Sequence, residues 1–500
     1  MLTRLRVKGF KNLVDVDVRF GPFTCIAGPN GVGKSNLFDA ILFLRELADK
    51  PFVEAVDTIR GEDPALLFTT GVEEMTFIAE MLIPSDGIDD FGEETKAAST
   101  FVEYTIRLRL RRKEDNHRGA IELVHEKLDY VRKSEAKSRL GFDHKKPWRD
   151  SVVLQLRYGA PFISTNQSEG KVRRHQDQNP QEGKQSRAGR ALEYNLASLP
   201  RTVLSSARNA QESRTAVLVR REMQSWRLLR LEPSAMHQAD DFRAPDHIGH
   251  NGSHLPATLY RLVTSVEDGK NAESFKAQLL TQLSNRVAEL VQGVETVNVV
   301  RDEERKLIKL IMKETNGAEL PAASLSDGTL RFLALALIEF DPKEVGVICL
   351  EEPENGVHPQ RIEAMLRLLQ DIAVDPTEPT DKNNPLRQVI VNTHSPLVAN
   401  LVPADVLLFA QPVSALLNGN TISGLALRCI ESTWRTREPN PMPMIAPGDL
   451  LTYSDPTLRF DNRAPVARGQ HKKKISVRDY TDEKIRQLNL KLEDYSNNII

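Results

Sequence analysis

The chain has 500 residues, 40% hydrophobic and 27% charged, with a formal net charge of −2. That is ample chain for a large core in two to four lobes of ~150 residues, and no apolar stretch approaches the roughly 20 residues of a membrane span. The near-neutral balance excludes a global attraction to DNA or anionic membrane, so nucleic-acid contact has to come from a local patch.

The N-terminus runs directly into an alternating strand without a signal peptide's apolar region, so a cytoplasmic protein is expected. Leu5 and Val7, then Val14, Val16, Val18 and Phe20, alternate and predict two half-buried strands joined through Gly9-Phe10-Lys11-Asn12. Phe23-Thr24-Cys25-Ile26-Ala27 predicts a buried strand, and Leu37, Ile41, Leu44 and Ala48 give a helical stripe after it. Between them, Gly28-Pro29-Asn30-Gly31-Val32-Gly33-Lys34-Ser35 is a full match to the phosphate-cradling P-loop. Its glycines let the backbone curl, so that N–H groups from Asn30 to Asn36 and the helix N-terminus face the phosphates of ATP or GTP. Lys34 is expected to reach the β- and γ-phosphates and Ser35 to ligate Mg²⁺. The three cysteines, Cys25, Cys349 and Cys429, have no metal-like spacing and read as buried thiols.

Further strands are expected over Thr76 to Ile83 and Phe101 to Leu110. The stretches 111–149 and 164–193 are polar and basic, and Ser164 to Arg190, which lacks core positions, reads as a mobile surface loop. Such a loop suits solvent, with contact to DNA phosphates as the other reading. Residues 211–231 and 270–293 look helical, the latter with Phe275, Leu279, Leu283, Val287, Leu290 and Val291 on one stripe, and a hairpin follows near 296–302 and 306–313. Ser324 to Thr329 precedes an apolar helix, Leu330 to Ile338. Ser326 or Asp327 can cap it and Gly328 allows close approach, which makes a second site suited to phosphate.

The run Val345 to Leu350 predicts a buried strand that delivers Glu351-Glu352-Pro353-Glu354. Carboxylates at the C-terminal end of a strand fall beside the P-loop if the two strands are adjacent in a parallel sheet. Glu351 is expected to hold Mg²⁺ through water, and Glu352 to polarise the attacking water. Gln388 to Asn392 is another buried strand, leading to Thr393-His394-Ser395-Pro396. His394 alone reads as a structural histidine, and beside a γ-phosphate as a switch and catalytic aid. After residue 430, proline-rich Glu438 to Pro447 and basic Lys472-Lys473-Lys474 predict a partly irregular appendage ending in a short amphipathic segment.

In this order, P-loop, Ser-Asp-Gly cap, Glu-Glu strand and histidine strand, the chain resembles the ABC-type ATPases, and more narrowly their RecF, SMC and OLD-like branch. The resemblance rests on Gly28 to Ser35, Leu325 to Leu330, Leu350 to Pro359 and Asn392 to Pro396, with weaker matches at Gly9 to Asn12 and Asn251 to Leu255. It implies an α/β P-loop NTPase with an ABC-ATPase-like head of mixed sheet and helices, a helical insertion and a small C-terminal appendage. The expected division is 1–163, 164–295, 296–430 and 431–500. It also implies a homo-oligomer, at least a dimer, with ATP sandwiched so that Ser326, Asp327 and Gly328 of one subunit close over the P-loop of the other, and Asn355 in the loop crossing the interface. Three departures stand out: Glu351 replaces the usual aspartate, Asp327 replaces a common glycine, and no glutamine loop is placed.

No sustained heptads separate P-loop from signature, so the long coiled coil of SMC proteins is not expected. Neither is a nuclease domain after His394, because no acidic cluster with metal-ligand spacing follows it. The expected function is an ATP- and Mg²⁺-dependent ATPase whose subunit association acts on DNA or an effector protein, in bacterial anti-phage defence or DNA repair. The alternative is a slowly hydrolysing scaffold that holds and releases a toxin or nuclease partner. Neither involves a membrane.

Overall fold

A computed structural model describes residues 1–59, 63–113, 116–155, 159–177, 191–265, 272–417, 419–437 and 441–454. Lys472-Lys473-Lys474 and the terminal amphipathic segment lie outside the described residues, as do 438–440 of the proline-rich stretch.

Two large sheets carry the architecture. The first has six strands in the order Arg227–Leu229, Gly346–Glu351, Arg387–Thr393, Phe23–Ala27, Leu407–Leu417 and Asn420–Cys429. The first five run parallel and only the last is antiparallel to its neighbour. The continuous apolar strands Phe23–Ala27 and Arg387–Thr393 are fully buried, as expected of strands covered on both faces. Period-2 alternation then assigns the two sides. Ile26, Val347, Cys349 and Ile390 face one core, while Cys25, Ala27, Ile348, Leu350, Val389 and Val391 face the other.

The second sheet has eight antiparallel strands, in the order Ala191–Asn195, Lys171–His175, Ile163–Asn166, Asn116–Tyr130, Phe101–Lys113, Glu74–Leu82, Leu2–Phe10 and Leu13–Arg19. Helix Lys34–Leu47 joins the same core as the inner faces of both sheets, which explains why it is buried on most of its circumference. Phe10, Phe43 and Phe77 meet there with centroids 5.5 to 5.9 Å apart. Helices Leu255–Thr264, Ala272–Leu290, Asp327–Phe340 and Ile362–Ile372 cover the other face of the parallel sheet. The hairpin Val294–Asp302 and Leu307–Glu314 packs with them. Of the stripe on Ala272–Leu290, Leu283, Val287 and Leu290 are buried, as is Val291 just beyond the helix, whereas Phe275 stays exposed. The three cysteines are buried and unpaired, and burial pushes their thiols above the ordinary range.

Two expectations need correction. The polar stretch read as a loop from Ser164 to Arg190 carries strands at Ile163–Asn166 and Lys171–His175, while 178–190 lies outside the described residues. Its inward face needs just Val172 and Arg174, both buried, with Arg174 hydrogen-bonded to Ser206 and ion-paired to Glu212. A hairpin so polar shows no alternation strong enough to read. The helix expected over 211–231 stops at Ser225, Trp226 is extended, and Arg227–Leu229 becomes the edge strand beside Gly346–Glu351. Three residues are too few for a period to show.

Candidate functional site

The P-loop and the Glu-Glu strand end at the same edge of the parallel sheet, separated by a single strand. Thr393 pairs with Ala27 on one side, and Asn392 with Glu351 on the other. After Ala27 the chain turns up through Gly28, whose N–H donates to Thr393 O at 3.2 Å. Pro29, Asn30 and Gly31 are exposed and Val32 is buried. Gly31 and Gly33 adopt φ of 78° and 102°, the left-handed region that glycine enters without a Cβ clash, and Gly33 is the N-cap of the helix that begins at Lys34.

Asn12, in the turn of the first hairpin, holds this loop from beneath. Its Nδ2 donates to Val32 O at 2.9 Å and its Oδ1 accepts from Asn36 Nδ2 at 2.8 Å. Lys34 Nζ folds back onto the loop and donates to Gly28 O at 2.7 Å and Pro29 O at 2.8 Å. Burial lowers its pKa, while the Glu352 and Glu354 carboxylates act in the opposite sense. The ammonium thus lies on carbonyls where a phosphate would be the stronger acceptor.

Glu352 has a φ of 48°, a left-handed conformation uncommon for a residue with a side chain. Its N–H donates to Asn392 O at 3.0 Å. Its carboxylate is engaged on both oxygens: Oε1 meets His394 Nδ1 at 2.7 Å, and Oε2 accepts from Asn355 Nδ2 at 2.7 Å. Glu354, two residues on, is buried. Thr393 Oγ1 donates to its Oε1 and no donor reaches its Oε2 among the described residues, while burial pushes the carboxyl above its ordinary range. Glu351 accepts from Arg230 Nε at 3.0 Å.

Ser35, Glu351, Glu352, Asn355 and Asn392 line one cavity of about 380 Å³, together with Arg230 and Arg331. A hydroxyl beside two carboxylates is the oxygen donor set that a hard cation such as Mg²⁺ takes, and the open backbone at Gly31, where an added Cβ would meet nothing within 4 Å, leaves room for phosphate. The residues therefore fit a magnesium nucleotide.

Ser326 and Asp327 do not line that cavity. Ser326 caps helix Asp327–Phe340, its Oγ accepting from Thr329 N at 3.2 Å, and Asp327 reaches His237 at 3.2 Å. Gly328 packs on the acidic loop, since a Cβ there would stand 3.3 Å from Gly356 O. Sequence reasoning missed Asn12, Arg230, Arg331 and Asn392 as site residues. The signal for Arg230, a strand end beside the Glu-Glu strand, was hidden by the helical reading of 211–231. Among the described residues no group of three or more His, Cys, Asp or Glu could hold a metal ion, and no helix is long and apolar enough to cross a membrane.

Residues 23–400 match the family described as "AAA domain, putative AbiEii toxin, Type IV TA system". An OLD nuclease of Thermus scotoductus is 54% identical over 41 residues, 8% of this chain and 8% of that protein. The DNA replication and repair protein RecF of Magnetococcus marinus is 51% identical over 41 residues, 8% of this chain and 11% of that one. The chain thus matches only about a tenth of the length of these curated relatives. Among solved structures, an Smc head bound to the C-terminal winged-helix domain of ScpA aligns at a TM-score of 0.43 and 13% identity, over 86% of this chain and 98% of that one.

Proposed function

The chain belongs to this AAA-domain family, and from that premise we propose that it is an ABC-type ATPase of the RecF, SMC and OLD-like class that hydrolyses ATP with Mg²⁺ and couples the cycle to subunit association. The observation that carries the reading is the convergence of Ser35, Glu351 and Glu352 on one cavity at the strand ends. Lys34 leaves the carbonyls of Gly28 and Pro29 for the β- and γ-phosphates. Ser35 and Glu351 would hold Mg²⁺, which neutralises charge on the phosphate oxygens. Glu352 gives up one of its two hydrogen bonds, accepts a proton from water and thereby activates it. The water oxygen bonds to the γ-phosphorus as the bond to the bridging oxygen breaks, releasing phosphate and ADP. His394, on the other carboxylate oxygen, holds Glu352 in line and senses the phosphate through the same contact.

The expected partner is a second copy, whose Ser326, Asp327 and Gly328 close the site, with Asn355 at the interface. The closed assembly acts on DNA or an effector protein. The DNA-repair and nuclease names of the relatives and the toxin–antitoxin description of the family support a role in defence or repair. In a second reading the same cycle is slow and gates a held toxin or nuclease, favoured by Glu352 resting with both oxygens occupied.

Glu352→Gln tests the core of the proposal. Turnover should fall by about 100-fold or more, as for loss of a general base, while ATP binding persists and light scattering detects a trapped dimer. Hydrolysis at the native rate would remove Glu352 from this role. Turnover unaffected by added DNA, with a co-purifying effector, would favour the gated scaffold.

A further inference from the structure

Arg331 lies near the start of helix Asp327–Phe340 and lines the cavity that holds Ser35, Glu351 and Glu352. Arg230, which lines the same cavity, is ion-paired to Glu351. Arg331 makes no hydrogen bond or ion pair with any described residue, and its Nε is buried without a partner. Burial lowers its pKa, and the Asp327 and Glu354 carboxylates oppose that shift without touching the guanidinium. A half-buried guanidinium with no direct hydrogen-bonded carboxylate is costly, and such groups concentrate where a charged ligand comes and goes.

The helix is fixed against its own subunit's acidic loop. Gly328 packs on the Gly356 carbonyl, and the Ser326 cap on Thr329 sets the turn from which Arg331 projects. Arg331 therefore shares a cavity with the P-loop hydroxyl of its own chain. The planar guanidinium, with donors in a fixed fork, suits phosphate oxygens.

We propose that Arg331 binds the terminal phosphate of the nucleotide held by Lys34 and Ser35 of its own subunit, so that it reads ATP against ADP in cis. This rests on the nucleotide reading above, and it differs from the family resemblance, which directs the signature helix to the nucleotide of the other subunit. During phosphoryl transfer the same contact offsets charge on the γ-phosphate oxygens.

The test is calorimetric titration of ADP and of a non-hydrolysable ATP analogue into the wild-type chain and Arg331→Ala. The variant should bind the analogue about ten-fold or more weakly, the worth of one charge-assisted contact, and ADP within about two-fold, as a contact confined to the γ-phosphate requires. Undiminished analogue binding overturns the proposal, and so does an equal loss for both nucleotides. A wild-type chain that binds neither overturns the nucleotide reading itself, a result no Arg331 variant could produce. Mixing Lys34→Ala with Arg331→Ala should restore no hydrolysis, because a cis arginine leaves both composite sites defective. Recovery on mixing would assign Arg331 to the other subunit's nucleotide.

Discussion

The P-loop and the acidic loop meet at one cavity but are built differently. The P-loop is made of backbone: glycines at left-handed φ, a helix N-terminus, and a lysine that hydrogen-bonds carbonyls five and six residues away. The acidic loop is made of side chains that reach far along the chain, with Glu352 bonded to His394 across 42 residues and Glu354 to Thr393 across 39. A backbone cradle presents much the same donors to any triphosphate. A side-chain network can exchange partners, so that the second region suits a switch and the first a holder.

The contrast is broken most severely at its one shared charge. Lys34→Ala should weaken ATP binding by about 100-fold, the loss of two or more charge-assisted contacts, whereas Glu352→Gln leaves binding intact. Equal loss of affinity in both variants would erase the distinction between holder and switch.

Within the P-loop, Gly28→Ala comes next. Its Cβ would sit 2.5 Å from the Ala410 carbonyl oxygen, where no flexible side chain can yield. Urea unfolding should register a cost of about 1–3 kcal/mol, typical of overpacking. Gly31→Ala meets open space and carries only the left-handed strain of roughly 1 kcal/mol. A reversed order would mean that backbone conformation, and not packing against Ala410, limits the loop.

The smallest effect is a pH dependence in the acidic loop. Burial holds the Glu354 carboxyl above its ordinary 4.5, so the folded state favours the protonated form. The stability this lends is full below 4.5 and is lost as pH rises through the folded-state value. Glu354→Gln should therefore flatten that slope, gaining on the wild-type chain at about pH 8 relative to about pH 5 in urea midpoints. A slope unchanged by the substitution would locate the titration elsewhere.

Legibility followed the range of the interactions. The buried strands Phe23–Ala27 and Gly346–Glu351, the opening hairpin and the Ser326 cap were readable because each depends on neighbours within a few residues. Lys171–His175 was unreadable because a polar strand owes its place to the strands that flank it. Arg230 and Asn12 were missed for a related reason. Nothing adjacent in sequence marks Arg230, Gly9 to Asn12 is only a weak match that assigns Asn12 no role, and each acquires its place only from Glu351 or from Val32 and Asn36.

By itself the sequence determined that a glycine-rich P-loop pattern follows a strand, that a strand ends in two acids, and that a histidine follows a third strand, since glycine spacing and apolar runs encode these locally. The tertiary structure decided which strands are neighbours. It alone brings Ser35, Glu351 and Glu352 to one cavity, puts His394 and Asn355 on one carboxylate, and lines the same cavity with Arg331, whose buried Nε has no hydrogen-bond partner among the described residues. Those relations come from pairing in a parallel sheet, where residues hundreds apart in the chain are joined by crossovers that no local pattern specifies.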